Sequence, residues 1–172
     1  MAIAADILRD LTSLYSRRPT LMDYAVSGGI GEDTLAEPLA SAISRSFQTY
    51  LANFYACHIH LHRVAHRHLA RSSTVVTAIS KIKEILHLMA GCNEHIPVNM
   101  LWPLFLWGSE EDDQDECQWI LNTIRGLHDI VTNANMAANA LQEIQTRQQK
   151  AGSRVDIRSV CLELFNTTFA MV

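Results

Sequence analysis

The residues best spaced for chemistry are histidines. His58, His62 and His66 recur at every fourth position, and His60 and His68 add a second pair on the same stretch. Helix positions four apart share a face, so His58 and His62 could hold one Zn²⁺ or Ni²⁺ ion, with His66 as a third ligand. The surrounding residues argue the other way. No glutamate follows the first histidine as in H-E-x-x-H, no carboxylate lies nearby in sequence, and Arg63, Arg67 and Arg71 would repel a cation. A polar helix face with one or two hydrogen-bonded core histidines explains the spacing equally well and is the preferred reading. No metal and no cofactor are therefore expected in this chain.

Arg63, Arg67 and Arg71, with the histidines between them, form a candidate patch for an anion, a phosphate or an acidic partner. Its charge would grow below pH ~6.5 as the histidines protonate. Of opposite sign is the run from Glu110 to Glu116, six carboxylates in seven positions. It lacks the glycine and the closing glutamate of a calcium loop, and aromatic residues only flank it. It reads as a solvated loop and a helix start, where carboxylates complement the helix dipole. The glycines at 28, 29 and 31 follow no G-x-G-x-x-G pattern and no strand, so they read as a plain loop. No G-x-S-x-G is present, and Cys57 beside His58 would diverge from it on a helix, so no catalytic motif survives and an enzyme is not expected. The remaining chemical option is an apolar ligand pocket between helices. Tyr55, His62 and Trp107 are its candidate contacts, while Trp102, Phe105 and Leu106 are assigned to packing. Met89, Met100 and Met136 would adapt to such a pocket.

The elements that must position these residues follow from composition and period. The 172 residues are 48% apolar and 19% charged with a net charge of -4. That is enough chain for a real core, and the charge disfavours nucleic-acid contact. The least polar run, residues 97–108, is too short for a bilayer, which needs about 20 residues, so it must be a helix buried on all sides. Four cysteines, none in C-x-x-C spacing, read as reduced, mostly buried thiols of an intracellular protein, and the N-terminus has no signal-peptide pattern.

Helical periodicity places Ile3, Ile7, Leu8, Leu11, Leu14 and Tyr15 on one face of residues 2–15. A short helix is expected at 20–26. A long one starts from a Thr34/Glu37 capping box with Pro38 in the first turn and runs to about residue 70, with a break at Ala52–Asn53. Ser72 or Ser73 caps the next helix, which Gly91 ends. Beyond the buried run, Asp113 and Glu116 have capping-box spacing and open a helix with Val131 on its inner face. Asn133 or Asn135 opens another with Met136, Ala140, Leu141 and Ile144 inward. Asp156 opens a last helix with Val160, Cys161, Leu164, Phe165 and Phe169 inward. The expectation is one all-α domain over 1–172, an irregular bundle of seven or eight helices around the buried apolar helix.

Three blocks carry a family resemblance. Residues 53–89 read N-F-Y-A-C-H-I-H-L-H-R-V-A-H-R-H-L-A and then V-V-T-A-I-S-K-I-K-E-I-L-H-L-M. Residues 101–110 read L-W-P-L-F-L-W-G-S-E, and residues 154–164 read R-V-D-I-R-S-V-C-L-E-L. Together they resemble the fungal-specific transcription factor domain, the regulatory region of zinc binuclear cluster regulators, with Trp102 and Pro103 the most specific match. The resemblance covers residues ~50 to 172 and implies the C-terminal part of that domain, residues 1–50 being less certain. It implies a nuclear regulator that senses a metabolite or partner. The family's six-cysteine zinc cluster is absent from this chain, so zinc binding and base recognition are not carried over. Expected partners are a regulator subunit, a coactivator or a small apolar metabolite, with homo- or heterodimerisation. Two alternatives remain. One is a free-standing protein that dimerises with a full-length regulator and inhibits it. The other is a small apolar-metabolite-binding protein or enzyme.

Overall fold

From Leu101 to Gly108 no side chain is charged, so this segment is stable as a helix only when other helices cover it. A computed structural model, which describes residues 2–30, 35–66, 69–91, 95–127 and 133–166, shows that arrangement. Among the described residues there are eight α-helices, one 3-10 turn and no strand. They are α1 (Ala2–Ser16), α2 (Thr20–Val26), α3 (Glu37–Ala65), α4 (Ser73–Gly91), the 3-10 turn (Val98–Met100), α5 (Leu101–Gly108), α6 (Gln114–Gly126), α7 (Ala134–Ala151) and α8 (Ile157–Phe165).

Helix α5 is the hub. It packs against α3, α4, α6 and α7, and Leu104, Phe105, Leu106 and Trp107 are all buried. Pro103 sits in its first turn, where a missing N–H costs nothing. Gly108 is there because of close packing. A Cβ at that position would lie 2.7 Å from Leu141 Cδ2 and 3.1 Å from Ile120 Cγ2. The surrounding helices present Ile82, Leu86, Ile120, Ile124, Leu141 and Ile144 to the same core.

The long helix α3 differs from expectation in three ways. Ala36 is its N-cap and makes no side-chain cap bond, so Glu37 is the first helical residue and not the third residue of a capping box. Its 29 residues run unbroken through Ala52–Asn53, about 43 Å at 1.5 Å per residue. Asn53 stays helical because its amide donates to the Thr49 carbonyl at 2.9 Å and to the Asn99 carbonyl at 3.2 Å, clamping the 3-10 turn to the helix. The helix also stops at Ala65, short of residue 70, with His66 leaving helical geometry at φ -134.

The capping box at α6 is half as expected. Asp113 accepts from the N–H groups of Asp115 and Glu116, as an N-cap should. The return bond comes from Glu111 rather than Glu116: Glu111 Oε1 accepts from the N–H groups of Asp112 and Asp113. Glu116 instead binds Lys83 and His87 on α4.

Several residues expected to face inward do not. Ile3 is 75% exposed, Ile7, Leu8 and Leu14 are also exposed, and so are Met136 and Leu164. The reason for α1 is that, among the described residues, it packs chiefly on α3, with Tyr15 of its last turn. There the Tyr15 ring stacks on Phe54 at 4.8 Å and its hydroxyl bonds that of Tyr55. Thr34, Cys92, Val131 and Phe169 lie outside the described residues.

Candidate functional site

The site grows out of one charge on an apolar stripe. Ala52, Ala56, Ile59 and Arg63 follow one another along the buried face of α3. An ion carried inside on such a face must find a partner there. Its partner is Glu110, two residues beyond α5, whose side chain is 0% exposed against 7% for Arg63. Arg63 donates to Glu110 Oε1, to the Ser109 and Val155 carbonyls at 3.0 Å each, and to Gln148 Oε1 at 3.2 Å.

Two more guanidiniums close on the other carboxylate oxygen. Arg154, in the α7–α8 connection, reaches Glu110 Oε2 with two nitrogens at 2.7 and 3.1 Å. Arg71, just before α4, reaches it at 3.0 Å and grips Asp112 in a two-pronged pair at 2.8 and 3.1 Å. Helix α7 finishes the work. Gln145 donates to the Gly108 carbonyl and Gln148 to the Ser109 carbonyl, each at 2.9 Å, so acceptors at the end of α5 are satisfied by side chains. Burial pulls the pKa of Arg63 down and Glu110 opposes that pull. A guanidinium stays charged under such a shift, so the pair is ionic.

His62 completes the cluster. Arg154 donates to its Nδ1 at 2.9 Å. Guanidinium nitrogens only donate, so Nδ1 carries the lone pair and the proton sits on Nε2. Burial first, and then Arg154 and His66, hold the His62 pKa below its ordinary value, while Glu110 pulls it up. Burial also lowers His58 and His60.

A folded-state pKa below the unfolded value of 6.5 means that the folded chain refuses protons the unfolded chain accepts. The stability these three histidines contribute is thus complete above pH 6.5 and is lost as pH falls below it. A melting temperature that declines between pH 7.5 and pH 5.0, with a shallower decline in His62→Gln, is the expected result of thermal denaturation followed by circular dichroism. A melting temperature that rises on acidification would contradict it. Glu116 acts lower. Burial raises its pKa, but the bonds from Lys83 and His87 outweigh burial and leave it below 4.5.

Above the cluster lies an open cleft of about 670 Å³. Its walls are Leu69 to Arg71, Glu111, Asp112, the end of α7 with Gln145, Gln148 and Gln149, and Gly152 to Arg154. Most of its residues are polar or charged and their apolar stems share the lining, so it suits a guest with both polar and apolar parts.

The sequence candidates are scattered by the fold. Tyr55 sits near the α1 end, bonded to Tyr15 beside a shallower cavity of about 190 Å³. Trp107 is wholly buried, its Nε1 donating to Glu111 Oε2 at 2.7 Å. Only His62 belongs to the cluster, so the three do not meet. His58 faces the Phe54 ring at 4.9 Å, and His62 faces the His66 ring at 5.5 Å. His66 is already off the helix, which breaks the four-residue register, and among the described residues no three His, Cys, Asp or Glu side chains converge. Two members of the arginine patch are bonded within the chain. Arg63 and Arg71 spend their donors on the chain's own carboxylates and carbonyls, and Arg67 lies outside the described residues. Nor is the acid run merely solvated, because Glu110 is buried, Glu111 caps, and Glu116 bridges to α4.

The family profile of the fungal specific transcription factor domain matches residues 26–170. The chain belongs to that family. The match begins well before residue 50, where the resemblance in sequence starts, and so takes in α3 from its first residue together with the whole cluster. Comparison with curated proteins and with solved structures gives no match. The family is one of transcription regulators, and no described helix is long and apolar enough to cross a membrane.

In sequence Glu110 opens the acid run and closes the second family block, and Arg154 opens the third, but none of Glu110, Arg154, Gln145 and Gln148 is a candidate site residue there. A signal existed for the ion pair. Arg63 falls on an apolar stripe of α3, and Glu110 directly follows a helix with no polar face. Arg154 and the glutamines sit in ordinary polar surroundings along the chain, and only the fold brings them to Glu110.

Proposed function

We propose that this chain is the sensing half of a transcription regulator, acting in the nucleus and leaving DNA contact to other protein segments. The observation that supports this most is the buried Glu110 with its three arginines. It ties together the ends of α3, α5 and α7, the approach to α4 and the α7–α8 connection, directly beneath an open polar cleft. A guest in the cleft touches residues that fix how these helix ends meet. Binding can then favour one arrangement of the bundle over another, and the arrangements differ in their affinity for a coactivator or regulator subunit. The charged residues at the rim favour a metabolite with a polar group beside its apolar part.

The test is a reporter assay. Residues 1–172 are fused to a heterologous DNA-binding domain in a fungal host and transcription is read from its sites. The fusion is expected to raise or lower transcription relative to the DNA-binding domain alone, and Arg154→Gln is expected to change that output. A folded, nuclear fusion with no effect on the reporter would overturn the proposal.

A further inference from the structure

Asp112 is an unusual partner for a guanidinium. Its side chain is 82% exposed, yet both oxygens face Arg71, giving the parallel two-bond geometry with which arginine recognises a carboxylate. The other end of Arg71 is anchored, since its Nε is held by buried Glu110. The fork is therefore fixed from below and capped from above by a carboxylate that stands at the rim of the cleft. The lower pair is buried. The upper pair is exposed, so water and salt screen it and little free energy opposes its opening.

We infer that the cleft is a binding site for a small organic carboxylate, and that Asp112 is a built-in stand-in for it. The guest's carboxylate takes the place of Asp112 on Nη1 and Nη2 of Arg71. The rest of the molecule meets Gln149 and Ser153 on the opposite wall. The volume, about 670 Å³, is in the range of small-molecule sites. Glu111 and Asp112 on the near wall disfavour a guest with several negative charges and leave room for one that also carries an ammonium or hydroxyl group. An amino acid or a hydroxy acid fits this description. Sulfate can also pair with a guanidinium fork, but it carries no ammonium or hydroxyl group to face Glu111 and Asp112. The inference rests on the reading of this cleft as the sensing site and gives it a ligand class.

The experiment is isothermal titration calorimetry of the full chain with glutamine, lactate, glutarate and sulfate at matched ionic strength. Glutamine or lactate is expected to bind saturably, and glutarate, with two negative charges and no ammonium or hydroxyl group, to bind more weakly. Asp112→Asn, which opens the fork and leaves the buried pairs in place, is expected to tighten binding about fivefold, the factor an exposed ion pair at the strong end of its range represents. Arg71→Gln is expected to abolish binding. Because Arg71→Gln also touches Glu110, the gain in Asp112→Asn is the deciding arm. No saturable binding to Asp112→Asn would overturn the inference, and so would sulfate binding as well as the carboxylates or unchanged affinity in Arg71→Gln. Such a failure would leave a positive reporter result standing and move the sensing role to a partner protein. A silent reporter with intact carboxylate binding would remove the regulatory role and keep the site.

Discussion

Glu110→Ala is expected to destabilise the fold by about 3–5 kcal/mol, the usual cost of removing one member of a buried ion pair. At about 2–4 °C per kcal/mol for a chain of this size, the melting temperature should fall by about 6–20 °C. The loss is large because Glu110 is the shared anion. Without it, Arg63 remains 7% exposed with two carbonyls and a glutamine for neighbours but no counter-charge. Among the described residues Arg154 keeps His62 and the Leu69 carbonyl. Water must then enter or the helix ends must part.

Two further variants separate this explanation from loss of volume. Glu110→Gln keeps the shape, removes the charge, and turns an N–H₂ either toward Arg63 or toward Arg71 and Arg154, all of them donor-only, so it should cost nearly as much as alanine. The double variant Arg63→Met, Glu110→Leu should cost clearly less than the sum of its parts, because a buried ion is no longer left alone. Urea unfolding monitored by circular dichroism measures these proteins together with the single variants Arg63→Met and Glu110→Leu. A cost below about 1 kcal/mol for Glu110→Ala would place the cluster in water, where exposed pairs contribute that little.

Most of the helices are legible in the chain because each is announced locally. Asp113 and Asp156 cap α6 and α8, Pro38 opens α3, and Gly152 at φ 60 closes α7 in a conformation that favours glycine. The burial of residues 101–108 follows from their having no polar face. The electrostatics are less legible because they are long-range. Arg63 meets a carboxylate 47 positions away, and Arg154 meets the same one from 44 positions on the other side. A run of six acids hides the single buried one among five that are at least partly solvated. The break expected at Ala52–Asn53 shows the opposite error. Asparagine is a poor helix former in isolation, and a tertiary bond to the Asn99 carbonyl overrides that preference. The apolar face of α1 repeats the lesson, since periodicity reveals a face and says nothing of what covers it.

Trp107→Ala is expected to cost about 3–5 kcal/mol, the range for deleting a large buried aromatic side chain. The indole is 0% exposed, packs near Trp119 at 5.7 Å and His87 at 5.8 Å, and stands in the last turn of the hub helix. Its polar end has a second role that Trp107→Phe isolates. Phenylalanine keeps most of the burial but cannot donate to Glu111, whose other oxygen holds the N–H groups of Asp112 and Asp113. Losing one charge-assisted bond should cost about 1.5–3 kcal/mol, with a smaller addition for the lost volume. The informative readout is hydrogen exchange at the amides of Asp112 and Asp113, which should speed up in Trp107→Phe while exchange in α7 stays slow. That pattern would show that the buried indole positions the loop bearing Asp112, and so sets how readily the Arg71 fork opens. Uniformly faster exchange would instead mean that the substitution loosens the whole core, and that the indole's bond to Glu111 has no separate role at the cleft.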